Sequence, residues 1–332
     1  GQSESHPYLS PNDEFASWDL WDRGNLILKP KPNGKDDLRY EYWREALKSG
    51  LRLGEELGTN PFRYGANAGT DTHTGLSTTE EDNFFGKFKT LEPSNTARWN
   101  FPLISGPTGD YMGWEQAASG KMAVWATENT REAIWDAFQR KEVYATSGSR
   151  ISVRVFAGWD FTADDVERQD FADRGYAGGV PMGGALTAAP AGKAPTFVIR
   201  ALRDPDNANL DRVQVVKGWL KENGESEERI YDVVCSDDRV IVNRRCESPV
   251  GSTVSVADAS YSNTIGDPLL TAYWKDPDFD PQQNAFYYLR VLEIPKPSWQ
   301  AYDAKYYNIE MSDEVPMTVQ DRAYTSPIWY TP

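Results

Sequence analysis

Histidine is nearly missing from this chain: His6 and His73 are the only two in 332 residues. Any imidazole chemistry must therefore run through one of these two positions. A Ser-His-Asp triad would have to recruit one of them, and no serine sits in a recognisable nucleophile elbow. Walker and Rossmann patterns are absent too; the glycine-rich step "AGGVPMGG" (177–184) lacks a strand-turn-helix context and reads as turns. Positive charge is short as well. The formal net charge is -15 and no long basic run occurs, which argues against nucleic-acid and anionic-membrane surfaces. No apolar run reaches transmembrane length, so no membrane span is expected. The polar start "GQSESHPYLS" does not read as a signal peptide; it also lacks a methionine, so it says little about compartment. Cysteine is limited to Cys235 and Cys246, which flank the strand-like run "SDDRVIVNRR". They pair across a hairpin if their Cα atoms come within roughly 7 Å, or else remain two free thiols; both readings stand.

What is present is aromatic. Twelve Trp, 17 Tyr and 13 Phe indicate a globular chain, because large rings carry much of the burial that offsets chain entropy. The length suits roughly two domains. Helical spacing in "DDLRYEYWREALKSGLRLGEELG" predicts an amphipathic helix that stops at Gly58. The stretch "ENTREAIWDAFQRKEVYATSGSRI" predicts a helix, with Asn129 and Glu132 in capping-box relation, and then extended chain from Val143. Between about Leu76 and Gly120 the chain is long, polar and rich in turns, as in a lid, a binding loop or a disordered segment. From Ile151 the pattern changes to β-branched and aromatic runs, among them "TFVIRALRD", "RVQVVKGWL" and "FYYLRVLEI". The expected organisation is therefore a mixed α/β region over 1–150 and an all-β, sandwich-like region over 151–332.

Both histidines sit two positions after a carboxylate. In "GTDTHTG", which follows a short extended run, Asp71 and His73 would share one face of extended chain. A carboxylate oxygen and an imidazole nitrogen could then reach one cation, with small neighbours leaving room. Glu4 and His6 in "SESHP" repeat the spacing, although a chain terminus is often frayed. Four such donors would suit a zinc or manganese site with room for water. Glu80, Glu81 and Asp82 in "TTEEDNFFG" read either as a general base or ligand support, or as a solvated charge run. Arg150, after the small residues of "YATSGS", reads as a contact to an anionic substrate oxygen or as an ordinary salt-bridged arginine.

The segments "GTDTHTGLSTTEEDNFFGK", "ENTREAIWDAFQRKEVYATSGSRI", "GVPMGG", "RVQVVKGW", "DPDFDPQQNAFYYLRVLEIP" and "SPIWYTP" together resemble an uncharacterised bacterial family of the PHP (polymerase and histidinol phosphatase) metallohydrolase superfamily, close to carbaryl-hydrolase-like members. The resemblance covers Gly1 to Pro332. It implies the second half of a distorted (β/α) barrel over 1–150, TIM-like in plan, followed by a β-sandwich-like accessory domain over 151–332. It also implies two or three divalent ions (Zn, Mn or Fe) in the complete barrel. The superfamily's last motif, Asp-x-His, maps onto Asp71 and His73; "SESHP" resembles an earlier family motif in which Glu4 is the better match and His6 is less securely placed. The His-x-His pair and further histidines of the superfamily have no counterpart here. The resemblance therefore implies a companion, the N-terminal half of the same protein, either missing or a separate chain.

The function expected on this basis is metal-dependent hydrolysis of an ester, phosphoester or carbamate/amide bond in a small-molecule substrate. Asp71, His73, Glu4 and His6 would ligate metal and Arg150 would contact substrate. The alternatives are a non-catalytic binding or assembly module and a protein whose metal is purely structural. Export signals in family members and a possible cysteine pair suggest a periplasmic or secreted location, with a cytoplasmic one as the alternative.

Overall fold

The computed structural model describes residues 4–18, 20, 35–76, 78–96, 98–106, 109–118 and 120–332. Its centre is a pair of sheets packed face to face. The larger sheet runs in the order Ser226–Cys235, Leu210–Leu220, Ala285–Glu293, Arg322–Thr325, Val143–Thr146 and Lys121–Val124. Ile328–Thr331 also pairs with the start of Ala285–Glu293, and Ala185–Thr187 pairs with Ile328–Thr331. The smaller sheet runs Leu269–Lys275, Thr196–Leu202, Ser152–Gly158 and Gly179–Pro181. Val153, Val155, Phe197 and Ile199 from the smaller sheet pack with Val213, Val215, Tyr287 and Leu289 from the larger one in a single buried core.

The period-2 pattern explains the layers. In Leu210–Leu220 every residue is buried because alternate side chains serve different cores. Val213, Val215 and Trp219 face the smaller sheet. Val216 and Leu220 face outward, where Leu47 and Leu51 of a helix cover them together with Phe286 and Trp329. Gly218 lies under the Phe286 ring, and a Cβ there would come within 2.2 Å of it.

We label the helices α1 (Lys35–Leu38), α2 (Trp43–Leu57), α3 (Arg131–Arg140), α4 (Phe171–Gly178) and α5 (Trp299–Tyr307). The covering helix is α2, and it ends at Gly58 in the left-handed conformation, as the sequence predicts. α3 is capped by Thr130, whose side chain accepts from the Ala133 amide, rather than by Asn129.

The expected half-barrel does not form, and the TIM-like plan is corrected with it. Among the described residues the sheet pairings are antiparallel, except for Ala185–Thr187 with Ile328–Thr331, so no strand-helix-strand repeat builds a barrel wall there. The stretch 131–146 does form a helix and then a strand, which locally imitates a barrel unit. That strand, Val143–Thr146, instead pairs antiparallel with Arg322–Thr325 and Lys121–Val124. The expected boundary near 150 falls between Val143–Thr146 and Ser152–Gly158, which lie in different sheets of the same stack.

Cys235 and Cys246 form a disulfide, with Cα atoms 6.1 Å apart. It ties the end of a large-sheet strand to the two-stranded hairpin Ile241–Val242/Arg245–Cys246. By the loop-closure argument it stabilises the fold by about 3 kcal/mol. A Cys235→Ser, Cys246→Ser variant is expected to lose that amount in urea denaturation, and an unchanged midpoint would refute the assignment. Among the described residues, no helix is long and apolar enough to cross a membrane.

Candidate functional site

A cavity of about 780 Å³ opens between α2, the end of the large sheet and the extended segment 64–71. Gly65, Ala66, Ala68 and Gly69 keep this wall thin, and the rings of Trp43, Phe62, Phe84 and Tyr324 are among those that line the cavity. Segment 64–71 has no regular strand partner among the described residues, although the Ala66 amide donates to Ser326 Oγ (2.9 Å) and the Gly120 amide to the Gly69 carbonyl (3.3 Å).

Asp71 lies on the wall of this cavity in the left-handed region, with φ 47°. That backbone turn brings its carboxylate to His73: Oδ1 is 3.3 Å from the ring Nε2. Oδ2 pairs with Lys87, which lines the same cavity. The hydrogen bond from Lys87 holds the Asp71 carboxyl below its ordinary range, against the opposing effect of burial. His73 is fixed from two sides. Its amide donates to the Lys87 carbonyl (2.8 Å), and its ring meets Phe88 edge-on at 4.5 Å. Both side chains remain more than half exposed, so their outer faces are open to solvent.

Glu4 touches this cavity but is committed elsewhere. It is buried with Asp13 between two arginines. Glu4 accepts from Arg44, from the Tyr288 hydroxyl and from Arg290 Nη1 (2.7 Å). Asp13 accepts from Arg44 Nη2 and Arg290 Nη2, each at 2.7 Å. Burial pushes the Glu4 carboxyl up, but Arg290 and Arg44 outweigh it and leave the group below its ordinary value. His6 does not line the cavity. It is buried with its Nδ1 accepting from the Tyr8 amide (3.1 Å) and its ring against Tyr8 and Tyr42. Arg150 stands at a separate cavity of about 520 Å³, gripping Asp204 through Nε and Nη2 (each 3.1 Å) and also pairing with Asp206.

The structure thus brings Asp71 and His73 together and places Glu4, His6 and Arg150 in other networks. As a donor set for a divalent cation, the fit extends to the Asp71 carboxylate and the His73 imidazole. Among the described residues, the one group of three with metal-ligand spacing is Asp232, Cys235 and Cys246, whose sulfurs are spent in the disulfide.

Sequence reasoning missed a second cluster. Lys296 Nζ lies 2.5 Å from Asp321 Oδ2 and 3.5 Å from Glu293 Oε2. Ser147 donates to Asp321, and Ser149 donates to Glu293. Glu81 joins from the loop side, its Oε2 accepting from the Trp299 amide at 2.6 Å. Burial, only partly offset by Lys296, pushes the Glu293 carboxyl up to about 8; burial and the neighbouring Asp321 do the same to Glu81. The signal was available in "FYYLRVLEIPKP", where charged residues interrupt a strand buried on both faces.

These features define a two-sheet β protein with a helix-covered outer face and a ring-lined cavity whose rim carries a converging carboxylate and imidazole. The chain belongs to the family described as Protein of unknown function (DUF3604), whose family model matches residues 1–332. A comparison with curated proteins returns no match.

Proposed function

We propose that this protein takes part in metal-dependent hydrolysis of an ester, phosphoester or carbamate/amide bond, as the PHP resemblance implies, with Asp71 and His73 as its share of the ligand set. The observation that carries this reading is the 3.3 Å approach of Asp71 Oδ1 to His73 Nε2 beside a cavity of substrate size. When bound, a zinc, manganese or iron ion supplies Lewis acidity toward water and the scissile bond. Lys87 keeps the Asp71 carboxylate ionised, its carbonyl holds the His73 backbone amide, and Phe88 meets the His73 ring edge-on. The aromatic walls hold the apolar part of a small substrate and exclude water around it. In this proposal a companion polypeptide supplies the remaining donors. The Cys235–Cys246 bridge supports a periplasmic or secreted setting, where disulfides persist.

The test is hydrolysis of p-nitrophenyl acetate, phosphate and carbamate by natively purified protein. Chelation with EDTA is expected to abolish turnover, and Asp71→Ala or His73→Ala to lower it by about a hundredfold or more. Metal-dependent melting without turnover would favour a structural ion. Neither metal dependence nor turnover would favour a binding module.

A further inference from the structure

The loop that carries Phe84 and Lys87, both in the wall of the main cavity, is anchored at Glu81. Glu81 is 7% exposed, an unusual setting for an acid in the charged run "TTEEDNFFG". Its Oε2 accepts from the amide of Trp299, the first residue of α5. Three residues on, Phe84 packs on the Trp299 ring at 5.6 Å. Arg98 closes the joint, donating to the Phe84 carbonyl and lying over the Trp299 ring at 4.4 Å. The Trp299 indole in turn donates to the carbonyl of Gln116, another cavity residue, at 2.9 Å. Glu81 and Trp299 therefore fix one wall of the main cavity to the body of the sandwich.

The charges around Glu81 are unbalanced. Lys296, presented from the strand Lys296–Pro297, is already shared by Asp321 and Glu293. Arg98 pairs with Asp303 of α5 at 3.0 Å. Tyr302 of α5 and Asp82 border the same pocket and add no cation. Lys121 pairs with Glu80 at 2.6 Å, and Arg150 with Asp204 and Asp206. A carboxylate charge on Glu81, beside Asp321, has no cation of its own, and in a buried setting that repulsion is poorly screened.

We propose that Glu81 is a proton-operated latch on the main cavity: protonated, it holds the 80–91 loop against Trp299, and ionised, it releases that loop to solvent. The hydrogen bond from the Trp299 amide favours the ionised form, but burial and Asp321 outweigh it, and the Glu81 carboxyl is pushed up to about 8. The sign follows from linkage. The closed state binds the proton more tightly than the open state, where the carboxyl has its ordinary value of 4.5. Closure is therefore favoured in full below pH 4.5, and the preference is lost as pH rises to about 8. Release would also free Lys87 from Asp71, so the latch bears on the same site.

Hydrogen exchange of the 80–91 segment tests the latch without any turnover, independently of the hydrolysis proposal. After correction for intrinsic rates, opening in the wild type is expected to increase by about tenfold or more between pH 5 and pH 8, since one linked proton permits up to about tenfold per unit. The sandwich strand Leu210–Leu220 serves as the internal reference. In Glu81→Gln the segment is expected to stay as protected at pH 8 as the wild type is at pH 5. Glu293→Gln mimics the protonated form that Glu293 itself holds over most of this range, and is expected to leave the pH dependence of the segment in place. Equal protection of the wild type at both pH values would overturn the proposal. So would a pH dependence that survives in Glu81→Gln, or one abolished by Glu293→Gln.

Discussion

Arg290→Met is expected to lower the free energy of unfolding by about 4 kcal/mol, the scale for removing one partner from a buried ion-pair network. Arg290 is fully buried, with Nη1 on Glu4 (2.7 Å), Nη2 on Asp13 (2.7 Å) and Nε on Gln214 (2.7 Å). Removing it leaves two buried carboxylates with Arg44, which also serves Glu228 at 3.0 Å. The loss comes chiefly from stranded charge rather than lost packing, so adding Glu4→Gln and Asp13→Asn to Arg290→Met should recover part of it. Urea denaturation at pH 7 reads both effects. A loss below about 1 kcal/mol, the scale of a surface pair, would mean that the network is open to water. The N-terminal segment around Glu4 and Asp13 is thereby fastened to the centre of the large sheet, because Arg290 lies in Ala285–Glu293.

The unfolding free energy is expected to peak at about pH 5 and to fall on both sides. On the alkaline side, the Glu81 and Glu293 carboxyls are each pushed up to about 8, above an unfolded value of 4.5. Raised carboxyls contribute stability that is complete below the unfolded value and is lost as pH rises through the folded one. One proton released over three pH units corresponds to about 4 kcal/mol. On the acid side, Glu4, Glu228 and Asp204 behave in the opposite way. Burial opposes their charge, but Arg290 and Arg44 at Glu4, Arg44 and Lys48 at Glu228, and the hydrogen bonds of Arg150 at Asp204 hold all three below their ordinary values. Their contribution is present above the unfolded values and is lost as pH falls through the folded ones. Glu293→Gln should flatten the alkaline limb, its amide donating to Ser149 in place of the hydrogen bond now accepted by the carboxylate. Chemical denaturation from pH 3 to pH 9 checks the curve; a plateau from pH 5 to pH 8 would show that the cluster holds no extra proton.

Local patterns carried much of the architecture. The strands Ser152–Gly158, Thr196–Leu202, Leu210–Leu220 and Ala285–Glu293 lie where β-branched and aromatic runs predict them, and α2 stops at the predicted glycine. Topology was less legible, because pairing is decided far along the chain. Nothing within "EVYATSGS" announces that its strand will lie beside Arg322–Thr325. The barrel expectation failed at that long-range step and also at the run before Asp71, where segment 64–71 is extended but joins no sheet among the described residues. At the site, alternation suggested that Asp71 and His73 share a face; the structure brings them together through the left-handed turn at Asp71 instead. Glu4 and His6 show the same spacing with a different outcome, since partners some 40 and 286 positions away claim the carboxylate. A two-residue spacing places side chains locally but cannot reveal which distant charges will reach them.

Metal analysis by plasma mass spectrometry tests the central claim most directly, comparing natively purified wild type with the Asp71→Ala, His73→Ala variant. The account predicts about one equivalent or more of a divalent transition metal in the wild type and its loss from the variant, with the fold intact by circular dichroism. Equal metal in both proteins, or none in either, would contradict it.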